Sequence, residues 1–140
     1  MIETAIIFSK EDGELILSSI YGNVDPYSDD FENSLEKIKE IAIKLEKGVF
    51  NLDLDEGLVA LILTSKRLAI ALIFAQALDK KMINDWEKVA KEIINGFEKH
   101  FDPKGMNKQK YSGFKETLDE IIDWQLKEES PIDKMKDALW

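Results

Sequence analysis

The run from Leu58 to Ala75 constrains the fold of this chain more than any other part of it. Two apolar segments, Leu58 to Thr64 and Leu68 to Ala75, are joined by Ser65-Lys66-Arg67. Each is far too short to span a bilayer as a helix. Read as strands, both are apolar on their two faces. Such strands lie in the interior of a sheet that is covered on both sides. The pair therefore demands more strands beside it and helices above and below.

The flanking sequence supplies these elements. Thr4 to Lys10 reads as a strand and Glu14 to Tyr21 as its return. Between them Asp12-Gly13 predicts a tight turn, because both residues tolerate positive φ. Leu35, Ile38, Ile41, Ala42 and Leu45 recur at helical spacing. Asp29 and Glu32 predict a capping box at the start of that helix, and Gly48 predicts its end. Asp25, Asp29 and Asp30 complement the positive end of its dipole. Val49 to Leu54 alternates: Phe50, Leu52 and Leu54 point one way, and Asn51 and Asp53 point the other. One wet face marks a strand at a sheet edge. Asp55-Glu56-Gly57 turns the chain into the first apolar segment.

The second helix carries the stripe Trp86, Val89, Ala90, Ile93, Ile94, Phe97 and Phe101, which reads as core. Asn84 and Glu87 predict its capped start, and Asp102-Pro103-Lys104-Gly105 its end. A polar, basic loop reaches to Lys110. A third helix from about Ser112 to Lys127 puts Phe114, Leu118, Ile121, Ile122 and Leu126 on one side. Ser130-Pro131 opens a short tail with Ile132, Met135 and Leu139 on one face, ending on Trp140. The tail either folds back into a groove or docks on a partner. The expected architecture is α/β in the α+β sense, a five-stranded antiparallel sheet in the order β-β-α-β-β-β-α-α with helices on both faces. Residues 1–128 form the domain and 129–140 the amphipathic tail.

Composition narrows the function classes. A chain of 140 residues fits one domain that buries roughly 70% of its unfolded surface. With 44% hydrophobic and 34% charged residues it is globular rather than disordered. A net charge of −9 makes it a poor ligand for phosphate backbones or anionic lipid. No cysteine is present, which excludes disulfides and thiolate metal sites and fits a reducing cytoplasm. The N-terminal Met1-Ile2-Glu3-Thr4-Ala5 has no basic region of the secretory kind. A cytoplasmic protein without membrane insertion is expected.

The residues nominate no catalytic chemistry. Asn51 to Gly57 superficially resembles the start of a calcium loop, but Glu56 takes the place of the required glycine and Ile62 that of the bidentate glutamate. Asp53 and Asp55 are the best carboxylate pair available to an enzyme. His100, the single histidine, sits in a last helical turn, where the dipole favours its cationic form. No phosphate-binding glycine motif and no nucleophile elbow occurs. The expectation is a non-enzyme without cofactor or metal.

The opening strand from Met1-Ile2 to Phe8, then Asp12-Gly13, Leu15 and Tyr21, resembles the small subunits of clathrin adaptors. The Phe-rich face from Trp86 to Phe101 is similar to the helix that follows the fifth strand in longin proteins. With the element order, these features resemble the longin fold over residues 2–126. The chain lacks the fusion helix and membrane anchor of vesicle-fusion longins, and any clear cargo signature. The related roadblock fold begins with a helix, and this chain does not. The resemblance implies a protein-interaction or adaptor module in trafficking or GTPase regulation. Its partners would be a small GTPase, another longin or roadblock domain, or a second copy. The implied contact residues are Phe50, Asn51 and Asp53 on the edge strand, and Trp140. Outward Asn51 and Asp53 serve equally well as protection against edge pairing. The alternative is a small-molecule sensor of profilin- or PAS-like architecture, in which similar layers enclose a pocket.

Overall fold

A computed structural model describes residues 2–11, 13–45, 48–99 and 113–129 of the chain. The five strands are β1 (Ile2–Ser9), β2 (Leu15–Ile20), β3 (Gly48–Asp53), β4 (Val59–Thr64) and β5 (Leu68–Phe74). The helices are α1 (Glu32–Lys44), α2 (Lys80–Glu98) and α3 (Phe114–Glu129). All strand pairs are antiparallel, in the order β2-β1-β5-β4-β3. The expected α+β class, strand count and element order are all present.

Every residue of β4 and β5 is buried, as strands apolar on both faces require. The sheet divides two cores. Leu61, Leu63, Leu68, Ile70, Leu72 and Phe74 face α2 and α3. Ala60, Ile62, Ala69, Ala71 and Ile73 face α1. From these two strands the two-helix side receives only large side chains, whereas the side where α1 packs with Ala42 receives three alanines beside Ile62 and Ile73. Small residues there let one helix approach the sheet closely. On the other face Trp86 is fully buried and meets Phe74 edge-to-face, with ring centroids 5.2 Å apart.

Several boundaries differ from expectation. Asp29–Phe31 is a short 3-10 turn, and α1 follows with Phe31 at its N-cap and no side-chain capping bond. The Asp29/Glu32 capping box is therefore absent. Asp25 instead organises the approach, its Oδ1 accepting from the Tyr27 N–H at 2.9 Å. Helix α1 ends at Lys44, and Gly48 (φ +150°) opens β3 rather than stopping the helix. Helix α2 begins a turn earlier than predicted. Asp79 caps it, accepting from Met82 N–H at 2.8 Å, so Asn84 lies inside the helix. Phe101, His100 and the loop from Asp102 to Lys110 lie outside the described residues.

The first hairpin turns through Gly13 (φ +69°), whose N–H donates to the Ser9 carbonyl at 2.8 Å. Beside it Lys10 Nζ donates to the carbonyl oxygens of Leu45 at 2.6 Å and Ser65 at 3.1 Å. That ammonium ties the end of α1 to the β4–β5 turn, satisfying carbonyls that helix and strand leave open.

Candidate interaction surface at the β3 edge

Strand β3 forms one edge of the sheet, and its outer side has no strand partner among the described residues. It is the more open of the two edges. Its residues are half-buried or exposed throughout, whereas three of the six residues of β2 are buried. Alternation along β3 divides its side chains. Val49 packs with the α2–α3 core and Leu52 with the α1 core. Phe50 therefore shares the α1 face with Leu52, and Asn51 and Asp53 share the α2 face with Val49. Phe50 is 39% exposed, and Asn51 and Asp53 are exposed. The structure thus brings three of the sequence-predicted site residues onto one edge strand. The fourth, Trp140, lies outside the described residues with the rest of the tail from Ser130.

A cleft of about 490 Å³ adjoins this edge on the α2 face. Gly48, Val49 and Leu63 line it from the sheet, Lys66 from the β4–β5 turn, and Lys91 and Glu98 from α2. Glu87, also in its wall, holds Lys91 at 3.2 Å. At the far end of β3, Lys37 reaches Asp55 at 3.5 Å across exposed surface. Asp53 ends β3 and Asp55 opens the 3-10 turn that follows, with Leu54 between them, and Asp55 is engaged by Lys37. Among the described residues no group of three His, Cys, Asp or Glu side chains could hold a metal ion.

A second polar cluster binds β2 to α3. Ser19 Oγ and Tyr21 Oη both donate to Asp119 Oδ1, at 2.6 and 2.8 Å. Burial, with the neighbouring carboxylates of Asp119 and Asp123, pushes the Tyr21 hydroxyl well above the ordinary phenol range. The Ser19 side chain is 4% exposed, and the carboxylate already accepts from two hydroxyls. The arrangement fastens α3 to the end of β2 through one carboxylate oxygen. Sequence reasoning could not find it, because Ser19 and Asp119 meet only in the fold.

Two helical residues with exposed apolar side chains escaped the periodic reading, Ile43 on α1 and Trp124 on α3. Trp124 on α3 is 69% exposed. It falls off the stripe of Leu118, Ile122 and Leu126, and a large apolar side chain off the stripe is the available signal. Among the described residues no helix is long and apolar enough to cross a membrane. No protein-family model matches the sequence, and no curated protein matches it.

Proposed function

We propose that this chain is a protein-interaction module of the longin type, an adaptor in trafficking- or GTPase-linked regulation that engages its partner through the β3 edge. The observation that carries the proposal is an edge strand with no strand partner on its outer side among the described residues, and with a partly exposed phenylalanine. An unpaired strand edge supplies main-chain donors and acceptors in a row, and alternate side chains add specificity. The element order and the helices on both sheet faces support the longin part of the reading. The partner class is a small GTPase, or a longin or roadblock domain.

The test is a pull-down against the host's small GTPases together with light scattering of the purified chain. A complex or a dimer is expected, and Phe50→Asp should weaken it about tenfold, as loss of an interface anchor does. If neither a complex nor a dimer forms, the proposal is wrong.

The cleft favours one second reading, a small-molecule sensor, since about 490 Å³ falls within the range of ligand sites. Its walls carry lysines and glutamates of both signs, which suits a zwitterionic compound better than an apolar one. Thermal-shift screening with amino acids and related zwitterions separates the readings. A ligand that raises the midpoint through Lys66 or Lys91 supports the sensor.

A further inference from the structure

We infer that the cleft between β3 and α2 takes a free α-amino acid with a large apolar side chain, its carboxylate on Lys66, its ammonium on Glu98 and its side chain on Val49, Leu63 and Ile94. The inference rests on the small-molecule reading of this cleft, and names the ligand class and the way it lies.

The fold sets two opposite charges at one end of the cleft. α2 follows β5 and runs back along β4, so its last turn, with Glu98, lies where the β4–β5 turn carries Lys66. That turn is held in place. The Ser65 backbone N–H donates to the Leu68 carbonyl at 2.9 Å, and the Lys10 backbone N–H to the Arg67 carbonyl at 3.0 Å. Lys10 Nζ donates to the Ser65 carbonyl as well. A segment fixed before binding loses little freedom when a ligand arrives. Among the described residues the cleft wall carries two lysines and two glutamates. Glu87 and Lys91 satisfy each other at 3.2 Å. Lys66 and Glu98 form no salt bridge among the described residues, which leaves one cation and one carboxylate for a ligand. An anion alone would meet Glu98 uncompensated, and a cation alone would meet Lys66. A zwitterion satisfies both.

The floor between these charges and the sheet is apolar. Val49 and Leu63 oppose each other across β3 and β4, and Ile94 of α2 joins the same cluster. Gly48 adds no side chain at the start of β3, and a Cβ there would meet nothing within 4 Å. A volume of about 490 Å³ lies within the range of ligand sites and leaves room for an aromatic or branched side chain above this floor.

Amide shifts of the isotope-labelled full chain test the assignment. L-phenylalanine should give saturable shifts at Val49, Leu63 and Ser65. N-acetyl-phenylalanine lacks the ammonium and phenylalaninamide lacks the carboxylate, so each should bind about tenfold more weakly. Glycine, without the side chain, should lose about as much. Lys66→Glu should weaken phenylalanine about tenfold and leave phenylalaninamide no weaker. Glu98→Lys should weaken phenylalanine equally and leave N-acetyl-phenylalanine no weaker. Asn95→Trp, which fills the cleft from α2, should remove all binding. The three positions are exposed, so the fold is retained, and circular dichroism verifies it.

Capped forms that bind as tightly as phenylalanine, or charge reversals without effect, overturn the inference, while binding lost in Asn95→Trp keeps the sensor reading. Phenylalanine without saturable shifts overturns it too. The sensor reading then stands only if the thermal-shift screen yields another compound whose effect Asn95→Trp removes. If no compound binds in either experiment, both fall.

Discussion

Tyr21 donates its hydroxyl to Asp119, 98 residues along the chain, and burial is the first cause of its raised pKa. A hydroxyl that ionises less readily in the folded state than in the unfolded chain links stability to alkaline pH. Its contribution is fully present below the unfolded value of about 10. It is lost as pH rises from there toward the folded value. Urea unfolding between pH 8 and 12 should therefore show stability falling above about pH 10. Tyr21→Phe should be less stable at neutral pH by about 1 kcal/mol, from the lost hydrogen bond. It should also fall less steeply in alkali, and an unchanged slope would sink the linkage. Glu56 poses a different residue-scale problem. Its φ of +61° is left-handed, a region that costs a side chain with a Cβ about 1–2 kcal/mol, and that Asn enters more readily than Glu. It is exposed in the turn before β4. Glu56→Asn should stabilise the fold by about 0.5 kcal/mol, raising the urea midpoint at an unchanged m-value. A lower midpoint would show that Glu56 makes a favourable contact in that turn.

Helix starts separate what was legible at the level of elements from what was not. The apolar stripes of α1, α2 and α3 name the buried faces correctly: Leu35 and Ile38, Trp86 to Phe97, and Leu118 with Ile122. A stripe works because burial selects every third or fourth residue along a helix. Caps carry no such repetition. The spacing of Asp29 with Glu32, or of Asn84 with Glu87, arises readily in a chain with 28 acidic residues. The true cap, Asp79, stands seven residues before the first buried side chain, Trp86, because the opening turns of α2 are exposed or half-buried. Asp79→Ala should cost about 1 kcal/mol, the usual loss when a capping side chain disappears. Asn84→Ala should be neutral or slightly stabilising, since Ala is the better interior residue of a helix. Thermal melts of the two variants decide between the starts. If Asn84→Ala were the more damaging, α2 would begin where its spacing suggested.

At the scale of the whole molecule, the sheet reads out of the sequence because its centre is apolar twice over. Leu58 to Ala75 cannot sit at an edge, so β1 must pair beside it, and Val49 to Leu54, wet on one face, is left for the rim. The cleft beside β3 and the Asp119 cluster were not legible, because each joins segments distant in sequence that only helix packing brings together. The same layering sets a gradient of stability. β5 lies at the centre with β1 and β4 as neighbours, and their residues are almost all buried. Opening their hydrogen bonds means removing helices from both faces, which approaches global unfolding. Among the described residues β3 is joined to the sheet on one side only and is half-buried or exposed along its length, so it can separate from β4 at lower cost. Amide hydrogen exchange of the monomeric chain should be slowest in β5 and in β1 and β4, and faster in β3. In a complex formed through the proposed β3 edge the outward amides of β3 gain partners and should slow, whereas those of β2 should not. A concentration series followed by exchange tests both halves. Equal protection of β3 and β5 at low concentration would contradict the gradient. Slowing of β2 in place of β3 on association would put the interface at the opposite edge of the sheet.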